Sequence, residues 1–191
     1  DNAIRFGMGA IKGVGASAVK AIVGERKLNG PYLSIFHLSQ RVDLRAANKK
    51  AFDSLAAAGA FDSFEINRSQ YFHDNGDGIT FIEKILRHGN KFQENKNSAQ
   101  VSLFAGTNDM HISSPEIPQA DPWPTIEKLT KEKEVVGIYI SGHPLDDFKV
   151  EMESFCNGDV SVFKSPKEFV HKEINIAGVI TEVEHRVSRQ G

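Results

Sequence analysis

Apolar residues recur every three or four positions along most of the chain, which predicts a mainly α-helical fold. Val19, Ile22 and Val23 give one apolar face to a helix that runs from Ala16 to about Arg26. The same spacing predicts further helices over residues 34–41, 48–58, 68–92 (with a break at 74–78), 124–141 and about 147–155.

Residues with strong local preferences mark several helix ends. Asn48 and Asn67 are typical N-cap residues. Gly142 and Pro144 predict the end of the helix that begins at Pro124. The alternating lysines and glutamates of that helix, over 127–134, predict a solvated face.

The helical pattern fades between residues 93 and 121, where Asn, Ser, Gln, Gly and Pro dominate and a long surface loop is predicted. Trp123, between two prolines, is expected to anchor this loop to the helical part. Residues 174–180 predict a β-strand instead. Because a lone strand buries too little surface, we expect its sheet partners beyond Gly191, and therefore a longer parent protein.

Charge is unevenly distributed along the 191 residues. The formal net charge is −2, yet residues 1–60 contain nine Lys/Arg against four Asp/Glu, and the remainder contains 14 against 21. A basic N-terminal third is a candidate nucleic-acid surface. The single cysteine, Cys156, excludes an internal disulfide, and no apolar run is long enough to cross a membrane. We therefore expect a cytoplasmic protein.

A Gly-apolar-Gly turn opens the first predicted helix and is the core of a helix-hairpin-helix motif. Gly13 and Gly15 flank Val14, which we expect to point into the core. Backbone amides at such a helix N-terminus favour a phosphate, and lysines add charge beside it. The predicted DNA-binding residues are Lys12, Gly13, Val14, Gly15, Ala16 and Lys20, with Gly59 and Ala60 from a second, less regular turn. The alternative is a helix corner whose glycines only allow close packing.

Residues 100–104 read Gln-Val-Ser-Leu-Phe within polar flanking sequence. Leu103 and Phe104 can bury in an apolar groove of another protein while Gln100 offers an amide to its rim. The alternative is a loop segment that packs on its own domain. The dispersed histidines and acidic residues predict no metal site, and 74–78 lacks the ligand spacing of a calcium loop.

With these motifs in hand, the chain resembles the C-terminal region of the bacterial replicative DNA polymerase III alpha-subunit family. The segments that carry the resemblance are Arg5–Gly15 (RFGMGAIKGVG), Arg41–Arg45 (RVDLR), Ala58–Asp62 (AGAFD) and Gly137–Asp146 (GIYISGHPLD). Residues 176–180 (IAGVI), followed by 186–189 (RVSR), are similar to the opening of that family's OB-fold.

The resemblance implies a division of the chain and a role for each part. The implied domains are a tandem helix-hairpin-helix DNA-binding domain at 1–92, a loop at 93–121, a helical connecting segment at 122–172 and the start of a truncated OB-fold at 173–191. Gln100, Val101, Ser102, Leu103 and Phe104 would bind the sliding clamp, with Val101 replacing the family's usual Leu.

The resemblance also implies what this chain lacks. The carboxylates that hold catalytic Mg²⁺ belong to the polymerase core, so we expect no catalytic residue, no cofactor and no polymerase activity here. Duplex DNA, the sliding clamp and other replicase subunits are the implied partners, and a membrane is not.

Two other classes of function stay open. A helix-hairpin-helix DNA-repair glycosylase would need a catalytic Lys or Asp shortly after the hairpin, and Lys20 and Asp43 show no such constellation. A pure scaffold would use the turns only for packing. DNA binding and abasic-site trapping separate these alternatives from a replicative module.

Overall fold

The structure is a computed structural model, and it describes residues 6–101, 113–164, 167, 170–180 and 183–185. The chain divides into two compact units, Asp1–Ile140 and Ser141–Gly191.

The described residues are mainly helical. The first unit contains α1 (Ala16–Asn29), α2 (Ile35–Arg41), α3 (Lys49–Ala57), α4 (Arg68–Phe72), α5 (Phe81–Val101) and α6 (Thr125–Val136). The second contains α7 (Lys149–Phe155). Short 3₁₀ helices lie at Met8–Ala10, Asp62–Phe64, Asp146–Phe148 and Val160–Lys164.

Side-chain caps begin three of the helices where the sequence places them. The Ser34 hydroxyl accepts from the His37 N–H at 3.0 Å and begins α2. Asn48 Oδ1 accepts from the Ala51 N–H at 3.2 Å and begins α3. Asn67 begins α4 with a reciprocal capping box to Gln70. Each cap satisfies an amide that the helix leaves unpaired, so the predicted helix starts are confirmed.

The core of the first unit forms around α2, α3 and α5. Phe52, Phe61, Tyr71 and Phe81 follow one another as a chain of ring contacts with centroid separations of 5.6, 5.7 and 6.2 Å. Gly89 lets α5 approach α2, because a β-carbon there would lie 2.6 Å from the Ser39 carbonyl oxygen. Burial of these rings supplies the main stabilisation of the unit.

Helix α5 continues through Val101, so the loop predicted from Gln93 begins later than expected. The side-chain amide of Gln93 donates to the carbonyls of Ser39 and Val42, both at 2.9 Å, and so caps the C-terminal end of α2. Gln93 is held against α2 by this polar contact rather than by apolar packing, so apolar periodicity did not reveal its place in the helix.

Helix α6 ends at Val136, five residues before the predicted end. Gly137 adopts φ +88°, and its N–H donates to the Lys133 carbonyl at 2.7 Å, which is a left-handed helix stop. The solvated face predicted for α6 is also wrong at one position, because Glu132 is fully buried. Its tertiary partners explain that burial and are described below.

Other loop predictions are confirmed. Asp74 and Thr80 form an isolated bridge across the predicted break between α4 and α5. Trp123 packs on Phe72 with ring centroids 5.2 Å apart, as expected for an anchor.

The strand predicted over 174–180 is not formed in the described residues. The hydrogen bonds that the backbone of this stretch makes there join Asn175 to Asn157 alone. Asn157 donates its backbone N–H to the Asn175 carbonyl at 3.1 Å and accepts from the Asn175 N–H at 2.8 Å. A strand needs a ladder partner, and a single residue does not provide one.

Candidate nucleic-acid interface

The turn at residues 11–16 is anchored by two apolar side chains. Ile11 and Val14 are 7% and 5% exposed, which confirms the inward direction predicted for Val14. The Val14 N–H donates to the Ile11 carbonyl at 3.0 Å and closes the turn.

Gly13 is required by both conformation and space. Its φ is +92°, in the region that L-residues rarely adopt. A β-carbon at this position would lie 2.5 Å from Ser54 Oγ and 3.4 Å from two carbons of Lys50. The turn therefore packs directly on the first turns of α3.

Three backbone amides at this turn are available to a ligand. Gly15 is the N-cap of the 14-residue helix α1 and carries no side-chain cap. Among the described residues, the amides of Gly13, Gly15 and Ala16 donate no backbone hydrogen bond. The first turn of α1 contains no acidic residue. Unpaired amides and the positive end of the helix dipole together favour an anion.

The amide of Lys12 is used differently. Its N–H donates to the Val135 carbonyl, at the last turn of α6, at 2.8 Å. This bond holds the turn against α6 and leaves the Lys12 side chain exposed. Lys12 thus contributes charge rather than a backbone donor.

Three lysines surround the available amides. Lys12, Lys20 and Lys50 are exposed, and none forms an ion pair with any residue that the structure describes. By contrast, Lys49 pairs with Asp53 and Glu83, at 3.5 and 3.7 Å. Local charge excess in the sequence therefore overstates the free charge, and geometry selects the cations that remain.

Lys50 is the functional candidate that the sequence did not reveal. It lies 37 residues from Gly13, and no local pattern links the two positions. The only sequence signal is the like-charged pair Lys49-Lys50 after an N-cap, which is common on solvated helix surfaces. The packing of Gly13 on α3 brings Lys50 to the turn.

The second predicted turn has its amides engaged. Gly59 also has a positive φ, +81°. Its N–H donates to the Ala56 carbonyl at 3.1 Å, and the Ala60 N–H donates to the Leu55 carbonyl at 2.9 Å. These bonds end α3 as a left-handed helix cap, so neither amide is offered to an external phosphate.

The space beside Gly59 is filled by Arg68. A β-carbon at Gly59 would overlap the guanidinium of Arg68 and lie 2.9 Å from Asp62 Oδ2. Arg68 donates Nη2 to Asp62 Oδ2 at 2.7 Å and Nε to Asp62 Oδ1 at 3.0 Å. The cation closest to this turn is therefore neutralised.

Arg68 also reaches α6. Its Nη1 donates to the Ala57 carbonyl at 3.1 Å and to Glu132 Oε1 at 3.2 Å. The other Glu132 oxygen accepts from the Ile140 N–H at 2.8 Å. Burial alone would lower the pKa of Arg68, but the hydrogen bonds and charges of Asp62 and Glu132 outweigh it and raise that pKa. The network joins α3, α4 and α6.

Of the predicted clamp-binding residues, Gln100 and Val101 form the end of α5. Ser102, Leu103 and Phe104 lie outside the described residues. The structure therefore leaves this prediction untested.

The described part of the chain offers neither a metal site nor a membrane-spanning helix. Those residues include no group of three or more His, Cys, Asp or Glu side chains that could hold a metal ion. They also include no helix that is long and apolar enough to cross a membrane.

Comparison with known proteins agrees with this geometry. Residues 1–71 match the family model described as "Helix-hairpin-helix motif".

The relatives define the family more closely. The chain is 28% identical over 188 residues to the DNA polymerase III subunit alpha of Caulobacter vibrioides, covering 98% of this chain and 16% of that protein. It is 32% identical to the same subunit of Thermus aquaticus, covering 98% of this chain and 14% of that protein. For Neisseria meningitidis serogroup A the identity is 31%, with coverages of 100% and 15%. These matches show that the chain belongs to the DNA polymerase III alpha-subunit family. It spans about one sixth of the length of the Caulobacter vibrioides relative.

Proposed function

We propose that this chain holds duplex DNA by its phosphate backbone, as a non-catalytic part of a replicative DNA polymerase. The main support is that the amides of Gly13, Gly15 and Ala16, at the start of α1, donate no backbone hydrogen bond among the described residues. Three lysines without an ion-pair partner in those residues surround this helix start. Amides and lysines recognise phosphate oxygens, which are the same at every base pair. Binding should therefore be independent of sequence and sensitive to salt.

In this proposal the first turn and the second turn contribute unequally. The amides of Gly13 to Ala16 and the side chains of Lys12, Lys20 and Lys50 contact phosphate directly. Gly59 and Ala60, predicted as DNA contacts of a tandem arrangement, support the domain through the Arg68 network. Any DNA contact they make would not use their engaged amides.

We further propose that residues 100–104 tether the polymerase to its sliding clamp. The support is the order of an amide, two small residues and a Leu-Phe pair in a polar stretch, together with the family resemblance. Helix α5, whose first turns are buried in the core, ends at Val101, and the remaining motif residues follow it in the sequence. The whole protein would be a cytoplasmic DNA-directed DNA polymerase whose Mg²⁺-binding core, and the rest of whose OB-fold, lie outside this segment.

The DNA proposal is tested by fluorescence anisotropy with two labelled duplexes of unrelated sequence, between about 50 and 200 mM salt. The test variant is Lys12→Ala/Lys50→Ala. The control is Arg26→Ala/Lys27→Ala, which removes the same charge from exposed positions at least about 15 Å further along α1.

Equal affinity for both duplexes and about a tenfold or greater loss in the test variant alone would support the proposal. Equal losses in both variants would contradict it, because the binding would then be diffuse. Absence of binding at low salt would favour a scaffold, and a covalent adduct with abasic DNA under reducing conditions would favour the repair enzyme.

The clamp proposal is tested by calorimetric titration with the cognate sliding clamp. Leu103→Ala/Phe104→Ala should abolish the heat of binding, whereas Asn97→Ala/Asn108→Ala in the flanking sequence should not. Unchanged heat in the Leu-Phe variant would place the clamp contact elsewhere or remove it.

A further inference from the structure

Helix α5 presents a row of cations on its exposed face. Lys84, Arg87 and Lys91 follow at steps of three and four residues, which places them on one side of the helix. Lys84 pairs with Asp77 at 2.8 Å. Arg87 and Lys91 are exposed and have no ion-pair partner in the described ranges. This charge has no assigned role in the fold.

The row begins next to the first turn. Lys49, the neighbour of Lys50, lies 3.7 Å from Glu83 Oε1 at the start of α5. Arg87 is one helical turn further on. The pKa of Glu83 is lowered, first by the Thr80 backbone amide and then by the charges of Lys49 and Arg87, so both cations act on this one carboxylate. The Lys49–Glu83 pair therefore connects the start of α3, which carries Lys50, to the start of α5, which carries Arg87.

The carboxylates along this path are only partly compensated. Asp53 and Glu83 share the single cation of Lys49, which leaves one negative charge against the positive charges of Lys50, Arg87 and Lys91. Glu94, three residues after Lys91, is exposed and marks the end of the cationic row. Between the turn and Glu94 the free charge is thus positive.

We infer that Arg87 and Lys91 extend the DNA contact of the first turn along α5, so that one strand of a duplex follows Gly13, Lys50, Arg87 and Lys91. This inference rests on the proposed function. Positions four apart on a helix are separated by about 6 Å. Because a DNA strand winds around the duplex axis as well as rising along it, this separation suits neighbouring phosphates of one strand, which two long side chains can reach together.

Charge complementarity and continuity with the first turn select duplex DNA as the occupant. The second turn offers no equivalent surface: Arg68 is neutralised by Asp62 and Glu132, and Glu65 beside it is exposed. Helix α5 thus supplies the second contact that the sequence had assigned to Gly59 and Ala60.

The test is the salt dependence of duplex binding by this chain carrying Arg87→Ala/Lys91→Ala. Loss of two phosphate contacts should reduce the slope of log affinity against log salt by about two and weaken binding about tenfold or more at low salt. Because both side chains are exposed, the thermal unfolding midpoint should match that of the parent chain. Arg26→Ala/Lys27→Ala is the control of equal charge.

The outcomes separate this inference from the proposed function. If the Arg87/Lys91 variant binds like the parent chain while Lys12→Ala/Lys50→Ala is weakened, the track along α5 is overturned and the first turn stands. If the parent chain does not bind duplex DNA at low salt, both are overturned. Equal weakening in the control also overturns the track, because any surface cation would then serve.

Discussion

The turns at residues 11–16 and 59–61 both place a glycine at positive φ, yet they leave their amides in opposite states. At the first turn, Gly13, Gly15 and Ala16 donate no backbone hydrogen bond among the described residues. At the second, Gly59 and Ala60 donate to the end of α3. A glycine pattern therefore indicates a backbone conformation, and only the hydrogen-bond partners decide whether that conformation can bind a ligand.

The same contrast holds for charge. Lys12 and Lys50 lie beside the first turn and have no ion-pair partner among the described residues, whereas Arg68 beside the second is buried between two carboxylates. The first turn leaves amides and cations available to an external anion, as the proposed DNA contact requires. The second turn uses its cation to hold helices together.

The largest expected effect comes from breaking the charge network at the second turn. Glu132→Ala leaves Arg68 buried with one partner fewer and the Ile140 amide without its acceptor. We expect the free energy of unfolding to fall by about 3–5 kcal/mol in a denaturant titration. Glu134→Ala, exposed on the same helix, should stay within about 0.5 kcal/mol of the parent chain. A similar small change for Glu132→Ala would mean that the network adds no net stability.

The next effect tests the conformation of the first turn. Gly13→Ala must adopt φ +92° and crowd Ser54 Oγ, and should lower the free energy of unfolding by about 1–3 kcal/mol. Gly24→Ala, in the middle of α1 with nothing within 4 Å, should raise it by about 0.5–1 kcal/mol. Thermal unfolding of the two variants should therefore shift in opposite directions. Shifts in the same direction would refute this reading of the turn.

A matched pair of alanines compares the two turns directly as DNA contacts. Ala16 and Ala60 are both exposed. Ala16→Glu adds a negative charge at the first turn and should weaken duplex binding on the order of tenfold, while the helix dipole keeps α1 stable. Ala60→Glu adds the same charge at a turn whose amides are engaged and which we expect to make no phosphate contact. Its charge is screened from the DNA, so affinity should change about twofold or less. Equal losses would restore the tandem arrangement as a DNA contact.

The smallest effect concerns a more exposed ion pair near the far end of α1. Hydrogen bonds from Arg41, and then from Asn29, lower the pKa of Glu25 below its ordinary value of 4.5. The unfolded chain therefore binds more protons in this range, and the stability gained by Glu25 is present above pH 4.5 and lost as the pH falls through the folded pKa.

This pH dependence can be measured with Glu25→Gln. At pH 7 the variant should be less stable by about 0.5–1 kcal/mol, since the pair is partly exposed, and the difference should shrink below pH 4.5. Glu134→Gln should differ little from the parent chain at either pH. A difference for Glu25→Gln that grows on acidification would contradict the sign of the shift. Together with Glu132→Ala, the experiment compares a partly exposed ion pair with a buried one.

Local features of the sequence determined the helices, their caps at Ser34, Asn48 and Asn67, and the turn before α1. They could do so because a cap or a glycine turn is decided within three or four residues of itself. The matches to known families also depend on such local motifs, because each motif is a continuous stretch of the sequence.

Only the tertiary structure decided which polar groups are free. Lys50 packs beside Gly13, which lies 37 residues away in the sequence. Glu132 is buried against Arg68, 64 residues away, and Gln93 binds the end of α2, more than 50 residues away. None of these contacts leaves a periodic signal, because each depends on how separate helices pack. Residue type and spacing predict where an amide or a charge will lie, but its availability to DNA depends on whether the folded chain has already supplied a partner.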